Sequence, residues 1–296
     1  MKIIADLSHS MPLSAPVVVT IGNFDGVHIG HQFVLNRIKE QTRALGGKSA
    51  VVTFANHPSA VLRPDKQVAS ISTMTHRTLL LERFGIDILV VLKFTYELSQ
   101  QSPEVFLDNI RRALPFGHLV LGFDSTIGRD RQGNKERVQA YAGRNHVIVE
   151  YMEQYFLGEK AVSSSVIRKL ITEGNLEAVR PLLGRDYSIV GEVFSGQGKS
   201  KIIGFPTADI NVSGLCLPPP GVYAVDTVIA GSTHSVPAVA NCSAPLLEVY
   251  FASGDVELQG KQVEVIFKRF IRGEKVFGSI EELKKQIRAD IEIILF

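Results

Sequence analysis

Residues 16–31 read PVVVTIGNFDGVHIGH. A β-branched run, Val17 to Ile21, ends in Gly22. A second glycine, Gly26, follows, and His28 and His31 stand three apart at the start of the helical pattern HQFVLNRIKEQTRAL (31–45). A short continuous apolar run bounded by glycine fits a strand buried on both faces of a sheet. A strand that passes through a glycine turn into a helix is the first half of a βαβ unit. In an open parallel sheet, ligands sit at the carboxyl ends of the strands, so this turn is where chemistry is expected. Glycine lets backbone N–H groups approach a phosphate closely, and the helix N-terminus behind them favours negative charge. His28 and His31 would project into the same space. They would donate hydrogen bonds to phosphate oxygens, which a displacement on a triphosphate needs as charge builds.

The same texture extends outward from this stretch. Apolar runs recur at KSAVVTF (48–54), DILVVLKF (87–94), HLVLGF (118–123) and HVIVEY (146–151). Between them lie amphipathic patterns at 74–85 and at SPEVFLDNIRRAL (102–114), where Ser102 is an N-cap and Pro103 the first helical residue. The alternation predicts a doubly wound parallel sheet over residues 1–185. Two helical stretches, 163–174 and 175–184, close this half. From 186 to 296 the texture changes to short strands with period-two alternation, ending in SIEELKKQIRADIEIIL. This predicts a small antiparallel β-barrel followed by a terminal helix capped by Ser279 and Glu282.

Composition narrows the class. The 296 residues carry 32 basic and 30 acidic side chains, a net charge of +2, which argues against a dedicated nucleic-acid binder. Cys216 and Cys242 fit no metal spacing and are too few for a disulfide framework. No run approaches the roughly 18 apolar residues of a membrane span, and no secretory leader is evident, so a cytoplasmic protein is expected.

HIGH resembles the HxGH signature of the nucleotidyltransferase superfamily, and the longer GNFDGVHIGH resembles the N-terminal module of bacterial bifunctional riboflavin kinase/FAD synthetases. The resemblance covers about residues 16–292. It implies a phosphate-binding role for Gly22, Phe24, Asp25, Gly26 and Gly30, with His28 and His31 stabilising the transferred phosphates. VSSSVIRKL (162–170) resembles the family's SSTxIR segment, which implies a phosphate clamp of Ser163, Ser164, Ser165 and Arg168. LGFDSTIG (121–128) matches the GxDFxFG loop at Asp124, a flavin-side contact, while Ser125, Thr126 and Ile127 depart from it. FANHP (54–58) departs from FDPHP, and Asn56-His57 reads as a turn or a polar contact.

In the second half, GKSKIIGFPTADI (198–210) resembles the riboflavin kinase motif GRxLGFPTAN. The resemblance implies that Lys201 and Gly204 contact phosphate and that Thr207 and Asp209 hold Mg²⁺ beside ATP; oxygen donors suit that ion. Glu248, in LLEVYF, matches the base of the ExHL motif, with Tyr250 in place of histidine. A carboxylate within reach of a flavin hydroxyl is what phosphoryl transfer to it needs. Asn241 remains in a shortened loop, and Asn241 and Arg272 are implied flavin contacts, Arg272 alternatively forming a surface ion pair.

The family implies a bifunctional enzyme that phosphorylates riboflavin to FMN and adenylylates FMN to FAD with ATP and Mg²⁺. It would act on small molecules, without nucleic acid or membrane, as a monomer or weak homo-oligomer. The departures at Ser200, Lys201, Asp209, Tyr250 and the loop near Asn241 motivate a second reading. In it, only the FMN adenylyltransferase is active and the barrel merely binds flavin. A third is a non-catalytic flavin or nucleotide sensor.

Overall fold

The computed structural model describes residues 1–7, 15–194, 204–252 and 258–295. It divides into two compact units, Met1–Val68 with Arg77–Ser163, and Ala69–His76 with Ser164–Phe296.

In the first unit the chain runs β1 (Lys2–Ile4), β2 (Val17–Ile21), α1 (Ile29–Leu45), β3 (Lys48–Phe54), α2 (Ser59–Leu62), α3 (Met74–Arg83, whose first residues count with the second unit), β4 (Ile88–Leu92), α4 (Tyr96–Ser99), α5 (Pro103–Ala113), β5 (His118–Leu121), α6 (Lys135–Arg144), β6 (Ile148–Tyr151) and the hairpin β7 (Phe156–Leu157)–β8 (Lys160–Ala161). Six parallel strands form the sheet β1-β4-β3-β2-β5-β6. Every residue of β2 is buried, as a central strand covered on both faces requires. Val17, Val19 and Ile21 pack in one core with Phe106, Leu107 and Ile110 of α5 and Val138 and Tyr141 of α6. Ser102 caps α5 through Val105 N, and Pro103 opens it. The helix over 29–45 buries Val34, Leu35, Ile38 and Thr42. Phe33 and Leu45, which the sequence places on its apolar stripe, are exposed.

In the second unit, α7 (Ser164–Thr172) and α8 (Leu176–Leu183) precede β9 (Ser188–Phe194), β10 (Thr207–Asn211), β11 (Gly221–Ile229), β12 (Ser235–Ser243), β13 (Leu246–Phe251), β14 (Gln262–Arg272) and α9 (Ile280–Leu295). The strands close a barrel in the order β10-β13-β12-β11-β14-β9, antiparallel throughout. Side-chain alternation sorts its residues. Ala208, Val249, Ala240 and Tyr223, aligned across four strands, are buried. Ile287 and Ile291 of α9 pack on Val222, Val239 and Tyr250, which belong to the opposite parity, so the terminal helix lies on the barrel's outer face. Ser279 Oγ accepts from Glu282 N (3.2 Å), while Glu282 reaches back to Gly278 N (2.9 Å), one residue before the cap.

Candidate active sites

The first site forms where β2 ends. β2 lies between β3, which follows it in sequence, and β5, so the order turns at its carboxyl end. The chain leaves β2 through Gly22 and makes a tight turn over Asp25–Val27. Phe24 (φ 49°), Gly26 (φ 74°) and Val27 (φ 41°) adopt left-handed backbone. For a β-branched residue such as Val27 this is strained, and such strain gathers at functional turns. His28 then caps α1, its Nδ1 accepting from His31 N (3.2 Å). An accepting Nδ1 places the ring proton of the neutral imidazole on Nε2, so His28 is a donor without needing to be protonated. The two imidazoles stack with centroids 3.6 Å apart, and the ring of Phe24 lies 5.0 Å from that of His31. A Cβ at Gly30 would meet the His28 ring at 3.2 Å, so glycine there leaves the imidazole its place.

The turn is braced from beneath. Phe24 and Asp25 are buried, so their side chains form the floor of the turn. Arg77, buried on α3, lies below them, with its Nη1 3.0 Å from Phe54 O and its Nη2 4.0 Å from Asp25. Asn56 exchanges two 2.9 Å hydrogen bonds with the backbone of Phe94, a polar contact between segments 38 residues apart rather than a local turn.

Beside the turn, a cavity of about 170 Å³ is lined mainly by Ile21, Phe94, Leu98, Phe106, Thr126 and Ile127. Asp124 is exposed at the preceding bend and does not line it. Ser163 ends the first unit; Ser164, Ser165 and Arg168 open α7 in the second.

The second site is written into the barrel register. Asp209 pairs with Glu248, Glu248 with Asn241, Asn241 with Val222, and Val222 with Arg272. One row over, Thr207 pairs with Tyr250 and Tyr250 with Val239. Cross-strand partners share a face, so five strands present these side chains together on the outer surface beside α9. Asn241 Nδ2 donates to Glu248 Oε2 at 3.3 Å. Burial raises the Tyr250 phenol above its ordinary value, and the Glu248 and Asp209 carboxylates add to that, so Tyr250 stays protonated beside them. A cavity of about 80 Å³ is lined by Val222, Val239, Asn241, Tyr250, Arg272 and residues of α9 and the segment before it. Arg272 forms a largely buried ion pair with Asp290 of α9, at 3.0 and 3.1 Å from Nε and 2.6 Å from Nη2. Thr207, Asp209 and Glu248 offer oxygen donors only, which suits a hard divalent cation such as Mg²⁺. Gly204 is exposed with φ 78°; Ser200 and Lys201 lie outside the described residues.

A family model described as FAD synthetase matches residues 11–166, and one described as riboflavin kinase matches residues 183–295. A bifunctional riboflavin kinase/FMN adenylyltransferase of Listeria monocytogenes is 36% identical over 92% of this chain and 90% of its own. The chain belongs to the bifunctional riboflavin kinase/FMN adenylyltransferase family. The relative from Haemophilus influenzae is 33% identical over 99% of this chain and 97% of its own. A crystal structure of a macrolide-efflux protein from Streptococcus pneumoniae, 26% identical, superposes with a TM-score of 0.78 over 99% of this chain and 98% of that one. Among the described residues, no helix is long and apolar enough to cross a membrane.

Two of the residues that shape these sites have no signal in the sequence. Arg77 and Asp290 are ionisable residues on helical faces, where charge alone carries no signal. Tyr250 was noted only as a departure, and its register position places it in the site. The shortened loop after Asn241 is a two-residue connection, Ala244-Pro245, with a cis peptide bond, between paired Ser243 and Leu246. It leaves Asn241 in register with Glu248.

Proposed function

We propose that the chain performs two successive ATP-dependent reactions on a flavin. The barrel half, residues 186–296, phosphorylates riboflavin to FMN. The parallel-sheet half, residues 1–185, adenylylates FMN to FAD and releases pyrophosphate. The register that gathers Thr207, Asp209, Asn241 and Glu248 on one face beside a cavity carries the kinase half of this reading. It favours a working kinase over a barrel that only binds flavin.

In the kinase step, Glu248 takes the proton of the ribityl hydroxyl as its oxygen attacks the γ-phosphorus and ADP leaves. Asn241 orients that carboxylate through its amide. Thr207 and Asp209 would hold Mg²⁺, which supplies neutralisation of the phosphate charge when bound. In the adenylyl step, a phosphate oxygen of FMN attacks the α-phosphorus of ATP in line with the departing pyrophosphate. His28 donates from Nε2 to the phosphate oxygens, with His31 stacked behind it, and the amides of the Gly22–Gly26 turn face the same charge. Ser163, Ser164, Ser165 and Arg168 at the start of α7 contribute hydroxyls and a guanidinium to phosphate, and Lys201 and Gly204 serve the kinase nucleotide. The apolar wall of Phe94, Leu98 and Phe106 suits the flavin ring of FMN. The setting is cytoplasmic, with small molecules as partners.

The test separates the halves. Glu248→Gln should lower riboflavin phosphorylation by about 10²–10⁴-fold, the usual worth of a general base, while FAD formation from added FMN stays at the wild-type rate. Riboflavin phosphorylation within three-fold of wild type, roughly the spread set by 0.6 kcal/mol, would remove Glu248 from the role.

A further inference from the structure

The turn that presents His28 rests on a cation the reaction itself does not name. Arg77 is 3% exposed, and its guanidinium reaches the end of β3 and two residues of the turn, Asn23 and Asp25. Nη1 lies 3.0 Å from Phe54 O, 3.3 Å from Thr53 Oγ1 and 3.4 Å from Asn23 Oδ1. Thr53 Oγ1 in turn donates to Asn23 O at 3.0 Å, and Nη2 is 4.0 Å from the buried Asp25 carboxylate. The side chain thus ties the end of β3 to residues 23 and 25, on either side of Phe24. The tie falls at a run of left-handed backbone, Phe24, Gly26 and Val27, that delivers the chain to His28. Such a conformation persists only where its surroundings over-determine it. A planar guanidinium with several fixed donors does this in a way a flexible ammonium does not.

We propose that Arg77 is a positioning residue for adenylyl transfer: by clasping Asn23, Thr53, Phe54 and Asp25 it fixes the strained turn, and so the direction in which His28 faces the nucleotide phosphates. This rests on the assignment of His28 given above. Burial lowers the affinity of Arg77 for its proton and the Asp25 charge opposes that, which is consistent with a charge placed for geometry. Its Nε is buried with no hydrogen-bond partner among the described residues, so the guanidinium is not held by its full set of bonds. A misplacement of a catalytic group by about 1 Å can cost 10²-fold in rate, and that is the scale of loss expected when the clasp is loosened.

The experiment uses the full chain with Arg77→Lys, Arg77→Ala and, in parallel, His28→Ala. FAD formation from FMN and ATP is measured as kcat and KM, riboflavin phosphorylation is followed in the same samples, and unfolding is monitored by heating. Arg77→Lys should lower kcat for FAD formation by about 10²-fold with KM for ATP changed by less than three-fold, while riboflavin phosphorylation stays at the wild-type rate. Added guanidinium ion should restore part of the activity of Arg77→Ala, which lost packing alone would not allow. If Arg77→Lys forms FAD at near wild-type rate while His28→Ala does not, the positioning role is wrong. If both activities of Arg77→Lys fall together with its melting temperature, Arg77 serves folding only and the proposal is equally overturned. If His28→Ala itself retains FAD formation, the fault lies in the reading of the His28 site.

Discussion

Replacing Asp290 with alanine removes one half of the ion pair that fastens α9 to the barrel beside the second cavity. The carboxylate is 2% exposed and its partner Arg272 is 17% exposed. Three contacts at 2.6–3.1 Å vanish, together with the 2.9 Å bond from Gln286, and among the described residues the guanidinium keeps one bond, to Gly273 O. Leaving a buried charge without its partner costs about 3–5 kcal/mol. Against that, α9 stays anchored by Ile287 and Ile291, at 3% and 5% exposure; two such side chains contribute about 3–6 kcal/mol by burial. The two sums are similar, so α9 in the variant should be docked only marginally. The expected result is a fall of roughly 6–20 °C in the midpoint of thermal unfolding, from 2–4 °C per kcal/mol. Faster amide exchange along residues 280–295 and weaker riboflavin binding should accompany it. The double variant Arg272→Met with Asp290→Leu should recover most of the stability, because an apolar pair of similar volume needs no desolvation, but not the riboflavin affinity. Asp290→Ala within about 1 kcal/mol of wild type, below the range for a broken buried pair, would refute the latch.

Two further outcomes follow from single contacts. Gly30→Ala puts a methyl group 3.2 Å from the His28 ring; steady-state assays should show FAD formation reduced while riboflavin phosphorylation is untouched, and equal rates would mean that the His28 ring does not need its present place. The hydrogen bonds from Arg137 hold the Glu104 carboxyl down at about 2 from an ordinary 4.5. A depressed carboxylate stabilises the fold above its unfolded value and loses that contribution as pH falls from about 4.5 through about 2. The pair is partly exposed, so solvent screens much of its worth. Carboxyl-resolved NMR titration should find Glu104 near 2 in the wild type and returned to the ordinary range in Arg137→Ala.

The parallel sheet was legible because each of its longer strands is a continuous apolar run ended by glycine or polar residues, a pattern buried strands enforce. β1, three residues at an edge, carries too little pattern to read. α6 was masked by charge, since its first turn continues the run GRDRQGNKER and only Val138, Tyr141 and Ala142 are buried. β10 is harder to read. Its five residues sit inside GFPTADI, where the proline and glycine suggest a turn, yet they close the barrel and bring Thr207 and Asp209 opposite Tyr250 and Glu248. The gathering of the second site is a property of register, which no local pattern states. The first site was more open to reading because its glycines and histidines are close in sequence. Its brace, Arg77, arrives from a helix more than forty residues away.

The most direct measurement is a time course of the purified chain with riboflavin, ATP and Mg²⁺, with riboflavin, FMN and FAD separated and quantified. Riboflavin should fall, FMN should rise and pass, and FAD should accumulate. Untouched riboflavin, with FAD formed only when FMN is supplied, would contradict the kinase assignment of the barrel and leave the adenylyltransferase alone.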